Sequence, residues 1–246
     1  MNIAESSVIQ VASRFCGPPG SANGGYICGL VADRIHQPVT VRLQRPPPLD
    51  TALELHGVEP GLWAVDYAGL RYMEARATAP LELAIPASPG YLQALQSSLH
   101  GPDSHEHPCP GCFVCGPERA RGDGLRIFAG PVPGRDLVAA AWSPDVSLAR
   151  GDGKVQSEFL SAALDCPGYQ ALRTGSRPWL LGEFTAHVAK LVHADEPCVI
   201  VGWKIDGQGR KQRVGTALFD EDNEVCAWAR GTWIEPRSAP SSAPQG

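Results

Sequence analysis

The chain has 246 residues, enough for one large domain or two small ones. Its 26 acidic and 21 basic residues leave a net charge of −5, which offers no basic surface for nucleic acid. No apolar run approaches the ~18 residues of a membrane span. The N-terminus also lacks the basic-then-apolar pattern of a secretion signal. These features predict a globular, cytoplasmic protein without nucleic-acid or membrane partners.

The first half is predicted to contain a strand, a helix and then an antiparallel set of strands. The strand covers residues 7–12, and a short apolar helix begins at Gly24-Gly25 with Asn23 as a suitable N-cap. Alternation of apolar and polar residues is typical of half-buried strands. It occurs next in four runs: 39–43, 51–55, 62–67 and 71–78.

The second half repeats this order after a connection, residues 86–124, that is rich in Pro, Gly, Ser and His and holds one short helix near residues 91–95. The predicted elements are strands at 125–128 and 137–142, a helix at 156–168, and strands at 183–188, 198–203, 213–219 and 225–233. The closing strands share a phrase, Ala75-Arg76-Ala77-Thr78 and Ala229-Arg230-Gly231-Thr232. We therefore expect a duplicated domain in which residues 7–80 and 125–235 superpose, with Gly24 and Gln156 near equivalent helix starts.

Both predicted helices are apolar nearly all round. This order of elements, a strand followed by such a helix and then by a run of long strands, is typical of an α+β fold in which a curved sheet wraps a central helix.

Two motifs resemble a known family. Cys112-Phe113-Val114-Cys115-Gly116 resembles the lead-in to the first strand of hotdog-fold thioesterases of the phenylacetyl-CoA type, and the helix ending Ala162-Ala163-Leu164-Asp165 resembles their central helix. In the first half, Asn23-Gly24-Gly25-Tyr26 and the segment 45–49 resemble TesB-like double-hotdog acyl-CoA thioesterases. The resemblance covers about residues 7–236.

The resemblance implies a double hotdog with two antiparallel sheets, each wrapped around a central helix and joined side by side. Together with composition, it divides the chain into an N-terminal hotdog (1–98), a connecting segment with the cysteine cluster (99–122), a C-terminal hotdog (123–236) and a polar, Pro-rich tail (237–246) that is expected to be disordered. It also implies an active site between the two units. A Gly-Gly helix start of one unit binds the thioester carbonyl there, and a carboxylate from the other attacks or directs water.

The helix registers predict that only one of two such sites is complete. Seven residues after Gly25 stands Ala32, and Asp33 is displaced by one residue, or roughly 100° around the helix. In the second half the acid is Asp165, but Gln156, Ser157 and Glu158 replace the Gly-Gly turn. We therefore expect Asp165 to face Gly24 and Gly25, whose N–H groups polarise the thioester oxygen, with the Asn23 amide as a further donor.

Each of these residues also has a structural interpretation. Asp165 could bond the turn at residues 166–168, since Pro167 and Gly168 are typical of a helix end. The Gly24-Gly25 pair could serve close packing alone, with Asn23 acting only as a cap.

The eight cysteines predict a reducing compartment. Cys16, Cys28, Cys166, Cys198 and Cys226 lie in apolar surroundings, where a thiol behaves as a small hydrophobic group. His105, His107, Cys109, Cys112 and Cys115 have the spacing of zinc ligands. Because one Cys-x-x-Cys knuckle normally needs a second, remote pair, we expect no metal.

The function predicted from these features is hydrolysis of an acyl-CoA or acyl-carrier thioester, with Asp165 as general base or nucleophile and no organic cofactor. Two alternatives remain open: a noncatalytic protein that binds acyl or other hydrophobic ligands, and an enoyl-CoA hydratase or dehydratase on the same fold. The second needs a histidine beside the acid, and the helix at 156–168 has none. Further assembly into a homo-oligomer is compatible with either.

Overall fold

The structure is a computed structural model that describes residues 6–102, 107–172 and 179–236. Its strands are β1 (Ser7–Ile9), β2 (Val39–Leu43), β3 (Leu53–Glu59), β4 (Leu62–Tyr67), β5 (Leu70–Ala77), β6 (Gly130–Pro131), β7 (Val138–Trp142), β8 (Leu180–Val188), β9 (Cys198–Gln208), β10 (Lys211–Phe219) and β11 (Val225–Ile234). Its α-helices are α1 (Gly24–Ile35), α2 (Tyr91–Ser98), α3 (Ser157–Ala163) and α4 (Cys166–Ala171). Two 3-10 turns complete the set, Ser13–Phe15 and Val146–Leu148.

The two halves have the same strand order. The first contributes β1-β3-β4-β5-β2 to the sheet, and the second contributes β7-β9-β10-β11-β8, with the short β6 added beside β7. The repeated Ala-Arg phrase begins on β5 at Ala75 and on β11 at Ala229, which occupy corresponding places in the two halves. The expected repetition of strand order is confirmed. Gly24 is the first residue of α1 and Gln156 immediately precedes α3, so the helix starts also correspond closely.

The eleven described strands form one continuous sheet, so the two sheets that were expected side by side are joined edge to edge. The halves join where β2 pairs antiparallel with β8, with Val41 opposite Phe184 and Arg42 opposite Glu183. The Thr40 and Thr185 hydroxyls share a hydrogen bond of 2.8 Å beside this pairing. Without this pairing, β2 and β8 would each be an exposed edge strand. The pairing lets them satisfy each other's backbone hydrogen-bonding groups, so neither is open to pairing with another chain.

The helices α1 and α3 pack side by side because two glycines keep the α1 surface flat. A Cβ added at Gly25 would lie 2.6 Å from the Ser161 carbonyl oxygen, and one added at Gly29 would lie 2.8 Å from the Ser161 Cβ. Neither contact is tolerated with a side chain present, so these two positions set the distance between the helices.

Two predicted elements differ in the structure. The helix expected at residues 156–168 is broken, since α3 ends at Ala163 and α4 begins at Cys166. Pro167 lies in the first turn of α4, where a missing N–H costs no hydrogen bond, so here it begins a helix instead of ending one. The strand expected at residues 125–128 is irregular, although its Leu125 and Ile127 N–H groups donate to the carbonyls of Phe113 and Val114.

Within the described residues, none of the helices has the length and apolar character needed to cross a bilayer. The tail expected at 237–246 and His105 of the cysteine-rich segment lie outside the described residues.

Candidate active site

Asp165 lies at the break between α3 and α4, and its carboxylate crosses to the start of α1. Its Oδ2 accepts hydrogen bonds from the Gly25 N–H (2.9 Å) and from the Asn23 side-chain amide (2.8 Å). Asn23 uses its other side-chain atom as the N-cap, because its Oδ1 accepts from the Tyr26 N–H at 2.9 Å. The fold therefore brings the acid of one half into direct contact with the glycine turn of the other.

The second carboxylate oxygen of Asp165 is buried and unbonded. Asp165 is 4% exposed, and no described residue donates a hydrogen bond to its Oδ1. Nor does its side chain cap the turn of α4 that follows it. Burial raises the pKa of Asp165 to about 7, while the hydrogen bonds from Gly25 and Asn23 favour the charged form and limit the rise. This environment keeps the pKa of the carboxyl group close to neutral pH, where the group can both accept and release a proton.

The donors at the start of α1 are used differently from the sequence-based expectation. That expectation directs the Gly25 N–H and the Asn23 amide at the thioester carbonyl, but both are already committed to Asp165. A backbone N–H makes one strong, linear hydrogen bond, so the Gly25 N–H is not free while Asp165 holds this position, whereas the Asn23 amide keeps a second N–H. The Gly24 N–H has no partner among the described residues, and it belongs to a residue at the positive end of the α1 dipole.

A cavity of about 510 Å³ adjoins Asp165 and Gly24. Its walls are largely apolar, and they include Leu43, Leu181, Tyr169, Trp179, Trp233, Ile234 and the prolines at positions 18, 19, 46 and 47. Two exposed arginines, Arg45 and Arg210, also line it. A cavity of this size, with a few polar groups in an apolar wall, is typical of a site for a small organic ligand.

The other possible site would pair the helix start of the second half, at α3, with the acid position of the first half, on α1. A smaller cavity, about 340 Å³, lies beside Ala32, Asp33 and Ser157. Asp33 is exposed, and its carboxylate accepts a 3.4 Å hydrogen bond from the Ser157 hydroxyl. Ala32 stands where the register would require the acid. Of these two cavities, the larger one is lined by a buried carboxylate, that of Asp165.

The arginines of the loop between Gly116 and Arg126 brace the loop itself. Arg119 donates to the Gly111 carbonyl (2.8 Å) and to Asp123 (2.9 Å), and Arg126 donates to the Arg119 carbonyl. Neither side chain lines the 510 Å³ cavity, in contrast to Arg45 and Arg210.

His107 is a residue of this site that the sequence analysis does not assign to it. It lines the cavity together with Asp165, and it is 8% exposed. Its Nδ1 accepts from the Cys109 N–H at 3.1 Å, while its Nε2 is buried without a partner among the described residues. Burial lowers the pKa of His107, which favours the neutral ring. Sequence reasoning misses it because it lies far from Asp165 along the chain.

Comparison with solved structures identifies the fold. The tesB protein of Mycobacterium avium subsp. paratuberculosis is similar with a TM-score of 0.60 at 12% identity, covering 94% of this chain and 93% of that one. A candidate thioesterase from Novosphingobium aromaticivorans has a TM-score of 0.59 at 14% identity, covering 94% and 96%. A candidate thioesterase II from Thermobifida fusca has a TM-score of 0.59 at 13% identity, covering 96% of both chains.

No protein-family model matches the sequence, and no curated protein resembles it at the sequence level. The chain nevertheless shares the hotdog fold of these thioesterases over nearly its whole length. At such low identity, the likeness establishes the fold and leaves the chemistry to the site itself.

Proposed function

We propose that this protein is a thioesterase that hydrolyses an acyl-CoA or acyl-carrier thioester at one composite site between its two halves. The observation that carries the proposal is the Asp165 carboxylate: one oxygen is anchored by Gly25 and Asn23, the other is buried and unbonded, and the residue lines a 510 Å³ cavity. A buried carboxylate is costly, and this one lacks a cationic partner among the described residues. A catalytic role explains such an arrangement better than a contribution to the stability of the fold does.

In the proposed reaction, Asp165 acts as general base through Oδ1. A water molecule attacks the thioester carbon and passes its proton to Asp165. The tetrahedral oxyanion collapses, the carbon–sulfur bond breaks, and the leaving thiolate takes the proton back from Asp165. The products are the free acid and the free thiol, and the carboxylate is regenerated. Direct attack by Asp165 would instead form an anhydride that water opens in a second step.

The start of α1 would have two roles in this reaction. Gly25 and Asn23 hold Asp165 Oδ2 and thereby aim Oδ1, which makes them positioning residues. The Gly24 N–H, without a partner among the described residues, would donate to the developing oxyanion. The positive end of the α1 dipole favours negative charge at the same point.

The walls of the cavity support a thioester as the substrate. The apolar side chains around Leu181 and Trp233 suit an acyl group, and Arg45 and Arg210 suit phosphate oxygens. Coenzyme A and the phosphopantetheine arm of a carrier protein both combine a thioester with phosphate. Both substrate classes are therefore compatible with this cavity.

The proposal is tested by measuring thiol release from a panel of aliphatic and aromatic acyl-CoAs and from an acyl-carrier protein. We expect turnover of at least one substrate, which Asp165→Asn should abolish or greatly reduce. The matched control is Asp33→Asn, which changes the exposed acid of the other half and should leave turnover intact. Absence of thiol release from every substrate, or full activity of Asp165→Asn, would contradict the proposal.

A second candidate activity, hydration of an enoyl thioester, is favoured by one observation. Hydratases on this fold would need a histidine and an acid in one cavity, and His107 and Asp165 meet that condition. The two activities separate cleanly in assay, because hydration consumes the conjugated double bond without releasing a thiol. A purely ligand-binding role is less well supported, since it would have Asp165 bonded to its own turn with no cavity beside it.

A further inference from the structure

Three buried cysteine sulfurs converge on one wall of the cavity. Cys112 and Cys115 come from the connecting segment, and Cys166 is the first residue of α4. Their Sγ atoms lie within 4.8 Å of one another, and all three residues are buried. We propose that these thiolates form a binding site for a soft divalent metal ion of the zinc class, with its remaining coordination position facing the cavity.

The spacing of the sulfurs fits a tetrahedral ion. Zinc–sulfur bonds of about 2.3 Å separate two ligands on a tetrahedron by about 3.8 Å. The Cys112 and Cys166 Sγ atoms are 3.7 Å apart, which matches this edge. The same distance is far longer than the about 2.05 Å of a disulfide bond.

The loop that holds Cys112 and Cys115 has the geometry of a metal knuckle. The Gly116 N–H donates to the Cys112 carbonyl at 2.9 Å, closing the turn. A Cβ on Gly116 would lie 2.4 Å from that same carbonyl oxygen, so only glycine fits. This tight turn keeps the Cys112 and Cys115 sulfurs within 4.8 Å of each other.

Cys166 supplies the third sulfur ligand that the sequence alone did not indicate. A single Cys-x-x-Cys pair supplies two ligands, and for that reason the sequence predicts no metal. Cys166 lies 51 residues beyond Cys115, in a segment that the sequence places in the apolar core. The fold instead sets it against the knuckle, which gives three sulfur ligands, the minimum for a zinc site with one open position. This proposal therefore reverses the sequence-based expectation.

The open position has both an entry path and further donors. Cys112, Cys115 and Cys166 all line the cavity, as do Cys109 and His107. An ion can reach the sulfurs from this side, where the cavity wall also offers the Cys109 thiol and the unbonded His107 Nε2 as further donors. Since Cys166 directly follows Asp165, the ion would tie the connecting segment to the backbone that positions the proposed base.

The test is titration of the reduced, metal-free full-length protein with Co²⁺ alone, followed by absorption spectroscopy. We expect one Co²⁺ per chain, with thiolate-to-metal charge-transfer bands and the intense d–d bands of a tetrahedral site, and displacement by one equivalent of Zn²⁺. Cys166→Ser should lose stoichiometric binding. Cys198→Ser, which changes a buried thiol on β9 outside the cluster, should retain it.

A measurement on the unmodified chain keeps the proposal testable if the serine variants do not fold. Alkylation followed by peptide mass spectrometry should show that Zn²⁺ protects Cys112, Cys115 and Cys166 selectively. Absence of the charge-transfer bands, unchanged Co²⁺ binding in Cys166→Ser, or protection spread evenly over all eight cysteines would overturn the assignment. None of these readouts depends on thioesterase activity.

Discussion

Asp165 and Asp220 are two buried carboxylates with opposite environments. They are 4% and 3% exposed, respectively. Asp220, directly after β10, accepts from the Lys190 ammonium (2.5 Å), the Glu224 N–H (2.8 Å) and the Cys226 thiol (3.4 Å), so both of its oxygens are bonded. Asp165 has two donors on one oxygen, none on the other among the described residues, and a cavity beside it.

The pKa values of the two groups diverge accordingly. Burial raises the pKa of Asp165 to about 7, because two neutral donors do not compensate for lost hydration. Burial opposes the ionisation of Asp220 as well, but the hydrogen bonds from Lys190, Glu224 and Cys226 outweigh it and hold the pKa of Asp220 below its ordinary value. The comparison indicates that the surroundings of Asp220 favour its charged form, whereas those of Asp165 oppose it, as the general-base role proposed for Asp165 requires.

The largest expected effect is on turnover. Asp165→Asn should reduce thioester turnover by on the order of 10²–10⁴-fold, the range for a lost general base. Asp220→Asn should leave the turnover per folded molecule unchanged, because Asp220 does not line the cavity. Steady-state kinetics of both variants, normalised to folded protein by circular dichroism, checks the contrast. Equal losses in the two variants would remove the distinction between the carboxylates.

Gly25→Ala tests whether the contact between the helices holds Asp165 in place. The added Cβ would lie 2.6 Å from the Ser161 carbonyl oxygen and 2.7 Å from the Asp165 Cβ, so the helices must separate. We expect a loss of about 1–3 kcal/mol in the free energy of unfolding, typical of overpacking, together with reduced turnover. Gly151→Ala is the matched control, since a Cβ added there would meet no atom within 4 Å. Urea denaturation that showed equal stability for both variants would contradict the packing argument.

Asp220→Asn should lower the free energy of unfolding by about 1.5–3 kcal/mol, the range for hydrogen bonds to a charged group. Asp165→Asn should leave stability unchanged or raise it, because it removes a buried charge that lacks an ionic partner among the described residues. Urea denaturation at neutral pH measures both. A large loss of stability in Asp165→Asn would show that this carboxylate is structural after all.

Two substitutions at Asn23 distinguish its role as the N-cap of α1 from its role in positioning Asp165. Asn23→Ser keeps an N-cap oxygen for the Tyr26 N–H but removes the amide that donates to Asp165. We expect turnover to fall about tenfold, equivalent to about 1.4 kcal/mol for one hydrogen bond to a charged group, with little change in stability. Asn23→Ala should show the same kinetic loss and, in addition, a lower thermal midpoint. A merely structural role would leave the turnover of Asn23→Ser intact.

The smallest effect is the pH dependence of the Asp220 contribution. The pKa of Asp220 is lower in the folded state than in the unfolded chain, so its stabilisation is present above the ordinary aspartate value of about 3.9. It is lost as the pH falls through the folded-state value. The stability difference between the wild-type chain and Asp220→Asn should therefore shrink below about pH 4. Denaturation curves across the acid range measure this convergence, and a constant difference would argue against the ion pair.

Local sequence patterns determined much of this protein. Period-2 alternation predicted nearly all of the long strands, and the repeated order of elements predicted the duplication that the shared strand order confirms. The N-cap role of Asn23 followed from its side-chain chemistry, as did the complementary presence of Gly24-Gly25 in one half and Asp165 in the other.

Tertiary structure decided the rest, because each of the remaining features joins residues distant in sequence. The β2–β8 pairing that makes one sheet depends on the meeting of two strand edges. The commitment of Gly25 and Asn23 to Asp165 depends on the distance between α1 and α3, which a flat glycine surface sets. The approach of Cys166 to Cys112 depends on the break in the helix after Ala163, and no periodicity in the sequence marks where a chain will bring side chains together across a core.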